Sequence, residues 1–75
     1  MMSDLVSRIT SDPEICGGRP IIRGMRVRVT DVLDLLAAGL SHQQIVEELP
    51  YLEIDDVKAA IAYATSRVDH PVLAT

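Results

Sequence analysis

The chain has 75 residues, 48% of them hydrophobic, with no Phe or Trp, two Tyr and a single Cys, and it carries a formal net charge of −4. That length allows one domain, the single Cys excludes an intramolecular disulfide, and one Cys with the distant His42 and His70 does not make a four-ligand zinc site. No stretch approaches the roughly 20 apolar residues of a membrane span, and a domain this small buries only about 60–65% of the surface its unfolded chain exposes, so a second subunit or another protein is the expected source of further stability.

In chain order, residues 1–6 are expected to fray. Asp4 and Arg8 interrupt residues 1–9, so no secretion signal is read there, and the lone Cys fits a reducing cytoplasm. Residues 7–10 alternate apolar and polar and predict a short strand with Ile9 inward. Asp12 and Pro13 mark a turn. Gly17 and Gly18 permit a backbone conformation closed to residues with a Cβ, and Arg19 and Pro20 keep the chain extended. Ile21 and Ile22, then Val27 and Val29 alternating with Arg26 and Arg28, predict two strand pieces split by a turn at Gly24. In the second piece the valines face the core and both arginines face out.

From Thr30 the period becomes helical. Thr30 is the predicted N-cap, Asp31 sits where the helix dipole favours an anion, and Val32, Leu33, Leu35 and Leu36 form an apolar face ended by Gly39. Ser41 and Gln44 form a capping-box pattern that opens a second helix, with Ile45 and Leu49 buried, Val46 beside them and Pro50 as its stop. A third helix begins at Glu53 or Asp55 and repeats apolar residues at Val57, Ala60, Ile61, Ala64 and Val68. The small Ala60 and Ala64 let another helix approach, and Asp69, His70 and Pro71 end the helix. The predicted architecture is therefore mainly α and a single domain over residues 1–75. Short strands and a Gly/Arg-rich loop occupy residues 7–29, a three-helix unit follows over 30–68, and a tail over 69–75.

Charge is unevenly placed. Residues 1–14 carry a net −2, residues 15–30 carry +4 from Arg19, Arg23, Arg26 and Arg28, and residues 31–75 carry −6. A small basic patch on an acidic body suits a partner of matching polarity better than non-specific nucleic acid. The arginines fit either of two roles: neutralising internal acids such as Asp12, Glu14 or Asp31, or meeting an acidic partner surface or phosphates. The second and third helices also have the order of a helix-turn-helix, but the end that would enter a major groove carries Glu53, Asp55 and Asp56. Cys16 lacks a neighbouring base and reads as a small buried hydrophobe, and Gly17-Gly18-Arg19 lacks the GxxxxGK[ST] pattern. No catalytic, metal or cofactor site assembles from these residues, so the expectation is a non-enzyme.

The run DPEICGGRP at residues 12–20 and IRGMRV at 22–27 resembles the signature of the bacterial "domain of unknown function 433" family. AGLS at 38–41, EELPYL at 47–52 and AAIAYA at 59–64 extend the resemblance over about residues 8–64. Met25 departs from it, standing where the family often has Thr. The resemblance implies a homeodomain-like, helix-turn-helix-type three-helix fold preceded by a small strand region. It also implies an antitoxin, often encoded beside a PIN-like ribonuclease toxin. The expected function is thus an antitoxin-type binding module that neutralises such a nuclease, through Arg19, Arg23, Arg26 and Arg28, with Arg67 and the tail at Leu73 as a second option. The alternative is a dimeric DNA-binding repressor that autoregulates its operon. In it, edge-strand pairing would join two arginine strands into one basic ribbon on operator DNA.

Overall fold

The structure is a computed structural model that describes residues 2–68. It is mainly helical: α1 (Met2–Val6), β1 (Ile9–Thr10), a short turn at Cys16–Gly18, β2 (Ile21–Ile22), α2 (Val29–Ala37), α3 (His42–Glu48) and α4 (Ile54–Arg67). The strands pair antiparallel, with Ile9 opposite Ile22 and Thr10 opposite Ile21. Ile22, Val27, Val29, Val32, Ile45, Leu52, Val57 and Ala60 form the core, with Ile9, Met25, Leu33, Leu36 and Leu40 packed at its edge. Each branched aliphatic side chain buried there contributes about 1.5–3 kcal/mol, which lets a domain without Phe or Trp hold together.

Residues 22–25 form a tight turn. Met25 N–H donates to the Ile22 carbonyl at 2.8 Å, and both central residues are left-handed, Arg23 at φ 44° and Gly24 at φ 73°. Two consecutive positive φ values are the mark of a type I′ turn. The second predicted strand piece does not form. Val27 and Val29 do point inward, but only Arg28 bridges back, to Ile21, and Val29 already belongs to α2.

Helix α2 starts before the predicted N-cap. Arg28 occupies the cap in an extended conformation, and Thr30 lies exposed inside the first turn. Asp31 explains this: its carboxylate accepts the Arg28 N–H at 2.9 Å, supplying the cap from the third helical residue. The helix ends as predicted at Gly39, whose φ is 100°. Leu40 N–H donates to the Leu35 carbonyl and Gly39 N–H to that of Leu36, the paired bonds of a Schellman motif. The predicted capping box of α3 is present, with Gln44 N–H donating to Ser41 Oγ at 3.1 Å and Ser41 N–H to Gln44 Oε1 at 2.8 Å.

Two expectations about packing are corrected. Residues 2–6 are helical, and α1 packs against α4, as does β1. Helix α4 therefore buries more than the single predicted stripe. Val57 and Ala60 are buried as predicted, but so are Ala59 and Ala62, while Ile61 and Val68 are exposed. The small side chains of Ala59 and Ala62 lie outside the main cluster and leave room for close approach on a second face. The expected end of the helix at Asp69, His70 and Pro71, and the tail beyond it, lie outside the described residues. Among the described residues, no helix is long and apolar enough to cross a membrane.

Candidate functional site

The arginines that composition groups together separate in space by what they touch. Asp56, in the first turn of α4, is fully buried and takes one of them, Arg23, together with Arg8 from outside the group. Its Oδ1 accepts from Arg8 Nη1 at 2.9 Å and Arg23 Nε at 3.0 Å, and its Oδ2 accepts from Arg23 Nη2 and from the Glu53 N–H, each at 2.8 Å. Arg8 also reaches Glu53 at 2.7 Å and Asp55 at 3.8 Å, and Arg23 reaches the Tyr51 carbonyl at 3.2 Å.

Burial pushes the Asp56 pKa up, but the hydrogen bonds from Arg23, the Glu53 N–H and Arg8 outweigh it and hold the carboxyl below its ordinary value. The same bonds raise the Arg8 pKa, Glu53 first and then Asp56, and Asp56 raises that of Arg23, so both stay charged. This clamp also answers the crowding of acids at the start of α4. Two guanidiniums neutralise it from within the chain, while Glu53 and Asp55 remain exposed there.

Arg28 is half-buried, not outward as predicted, because it folds onto Asp31 with Nη2 2.8 Å from Oδ1. The hydrogen bond from Arg28 is the largest cause of the lowered Asp31 pKa. Arg19 and Arg26 are exposed and make no ion pair among the described residues. Arg67 is also without an ion pair there, but its guanidinium lies 5.1 Å from the Tyr63 ring centroid and its Nε donates to the Tyr63 hydroxyl at 3.1 Å. Leu73 lies outside the described residues.

Three of these arginines edge one groove. A volume of about 480 Å³ opens over Pro20, Val29, Thr30, Leu33, Tyr63, Ala64 and Val68, with Arg19, Arg28 and Arg67 around it. Its lining is mostly apolar. At one end it shares Pro20, Tyr63 and Arg67 with a second hollow that reaches Ile9, Thr10 and Ser11. At the other it shares Arg19 and Arg28 with a third that reaches Cys16 and Gly17. The three hollows are neighbours along α2, α4 and the Gly-rich turn, and the first of them is a furrow between α2 and α4. Arg26 lies apart, in a separate hollow with Asp31, Asp34, Leu49 and Tyr51.

The Gly-rich turn shapes the furrow's end. Cys16, Gly17 and Gly18 are consecutively left-handed, at φ 52°, 67° and 81°. Cys16 shares the strain foreseen only for the glycines and is half-buried, not buried. Among the described residues, no group of three or more His, Cys, Asp or Glu side chains is placed to hold a metal ion.

Sequence reasoning missed Arg8, Asp56 and Tyr63. Nothing local links Asp56 to Arg8 or Arg23, which lie 48 and 33 residues away. Tyr63 and Arg67 did carry a signal, since aromatic and cation stand four apart on a helix, where side chains meet.

The sequence profile of the family described as "Protein of unknown function (DUF433)" matches residues 9–64. The chain is also 43% identical over 56 residues to "Uncharacterized protein y4eO" of Sinorhizobium fredii (strain NBRC 101917 / NGR234). That match covers 75% of this chain and 25% of the relative, so the chain spans about a quarter of the length of the curated protein it matches. No solved structure matches it significantly.

Proposed function

This chain belongs to the family described as "Protein of unknown function (DUF433)", and we propose that it acts as a non-enzymatic, cytoplasmic protein-binding module of antitoxin type that neutralises a PIN-like ribonuclease. The partner class comes from the resemblance of residues 8–64 to that family. The surface comes from the arginines. One observation supports it above the rest: Arg8 and Arg23 are spent on the buried Asp56, whereas Arg19, Arg26 and Arg67 keep no carboxylate of their own among the described residues. Exposed guanidiniums favour an acidic counterpart at their own patch, while the body around them, of net charge −4, repels one elsewhere. A nuclease whose active site clusters carboxylates around a divalent metal offers one, by steric cover or by an arginine placed among those carboxylates.

The test is co-purification of the tagged chain from its native cell, with mass spectrometry of what it retains and a ribonuclease assay on the complex. A small carboxylate-site nuclease held at near-equal stoichiometry and inhibited is the expected result. A homodimer without a nuclease, binding promoter DNA with an affinity that falls steeply with salt, would replace this function with the dimeric repressor.

A further inference from the structure

We propose that the furrow between α2 and α4 is a docking groove for an acidic, aliphatic-bearing segment of a protein partner, with Arg19 and Arg67 reading the carboxylates; this deepens the protein-binding function above and rests on it. Pro20, Val29, Leu33 and Ala64 give the groove an apolar floor. Leaving that floor open to water forgoes about 25 cal/mol for each Å² of apolar surface. An occupant must therefore bring apolar side chains to cover the floor, and carboxylates to meet the guanidiniums around it.

The rim is already arranged. Arg67 is held over the Tyr63 ring and bonded to its hydroxyl, and Arg28 is held by Asp31. Side chains fixed before binding lose less rotamer freedom on binding. Two neighbouring hollows share wall residues with the central groove, Pro20, Tyr63 and Arg67 with one and Arg19 and Arg28 with the other, which suits a chain segment of several residues. Nucleic acid fits less well. Phosphates would satisfy the arginines but leave the aliphatic floor bare, and base stacking needs an open aromatic face, whereas Tyr63 is half-buried and carries Arg67.

The experiment titrates the uniformly ¹⁵N-labelled full chain with two synthetic peptides, acetyl-Glu-Leu-Glu-Leu-Leu-Glu-amide and its Lys-for-Glu counterpart, followed by NMR. The Glu peptide should shift the amides of Val29, Leu33, Ala64 and Val68. Its binding should weaken at higher salt and lose at least tenfold in affinity in Arg67→Glu and in the groove-filling Ala64→Trp. The Lys peptide should bind at least tenfold more weakly. Thermal melts check whether each variant is folded, and the exposed Arg67→Glu carries the test if Ala64→Trp is not. Equal binding of both peptides, shifts centred elsewhere, or indifference to Arg67→Glu overturns the proposal. So do nuclear Overhauser contacts from Leu33 to residues 69–75 in the free chain, or groove shifts that track protein concentration, which would assign the groove to the chain's own terminus or to a second copy. The peptide arm needs no nuclease. Peptide binding without nuclease capture would defeat the antitoxin function alone, and a nuclease complex indifferent to both variants would defeat the groove alone.

Discussion

Arg23 and Asp56 meet as a two-pronged pair, Nε to Oδ1 at 3.0 Å and Nη2 to Oδ2 at 2.8 Å, with one partner in a tight turn and the other fully buried at the start of α4. The pair fixes more than two side chains. Arg23 sits at φ 44°, a conformation that disfavours any residue with a Cβ, and its N–H is tied to the Arg8 carbonyl at 2.8 Å. The strained turn, the link between α1 and β1 and the start of α4 are thus joined through one carboxylate. That joint seats the arginine-rich segment on the acidic helices, and it leaves Arg19 and Arg26 without an ion pair among the described residues.

Asp56→Ala should therefore be among the most damaging single changes outside the aliphatic core. Removing one member of a buried ionic cluster costs about 3–5 kcal/mol. Arg8 and Arg23 retain 27% and 38% side-chain exposure and can turn to water, which lowers the expected loss to about 2–3 kcal/mol. Urea unfolding measures it. A loss under about 1 kcal/mol would mean that the clamp is incidental to the fold.

Acid should reach the same joint. The folded pKa values of Asp56 and Asp31 are lowered. Between the lowered folded value and the unfolded value of about 3.9, the unfolded chain holds more protons, so this stabilisation is complete above about pH 4 and disappears as the pH falls through the folded value. Stability measured from pH 2 to 7 should be flat at the upper end and fall steeply below about pH 4. Asp56→Asn should flatten that acid limb. An identical acid limb in the variant would place the pH dependence on other carboxylates.

What the sequence made legible was local. The Ser41–Gln44 capping box and the stop at Gly39 are read from residues a few positions apart, and both form. Thr30 failed as an N-cap for a reason almost as local: Asp31 satisfies the Arg28 N–H itself, so the helix needs no hydroxyl. The arginine-rich stretch was visible as composition. Its division was not, because Arg23 is consumed by a carboxylate 33 residues away, too far for any local pattern to pair them. The exposure of Ile61 and Val68 was hidden for a related reason. The α1 helix, expected to fray, takes up a second face of α4, so the buried surface of that helix is not one stripe.

Gly24→Ala isolates the cost of the turn. An added Cβ meets nothing within 4 Å, so no clash contributes, and the penalty comes from φ at 73°. A left-handed alanine costs about 1–2 kcal/mol. Gly24→Asn should cost less, since Asn tolerates this region. Denaturant midpoints for the two variants check it, and equal midpoints for wild type and Gly24→Ala would show that the turn relaxes to another geometry.

Arginine reversals should sort into two groups that composition alone does not distinguish. Arg23→Glu sets a carboxylate against the buried Asp56, and Arg28→Glu sets one where Nη2 now lies 2.8 Å from Asp31. Both should lower the unfolding midpoint, so a loss of partner binding in either would report on folding as much as on contact. Arg19→Glu and Arg26→Glu disrupt no ion pair among the described residues, and exposed substitutions of this kind leave stability nearly unchanged. The double variant should keep the wild-type melt while the complex with the proposed nuclease loses at least tenfold in affinity, equivalent to about 1.4 kcal/mol. The single variants then divide the effect. A loss confined to Arg19→Glu points to the furrow, where Arg19 stands beside Arg28, and a loss confined to Arg26→Glu points to the separate hollow with Asp34 and Tyr51. Wild-type affinity in the double variant would remove both arginines from the interface and leave Arg67 as the remaining guanidinium of the predicted set without a carboxylate partner among the described residues.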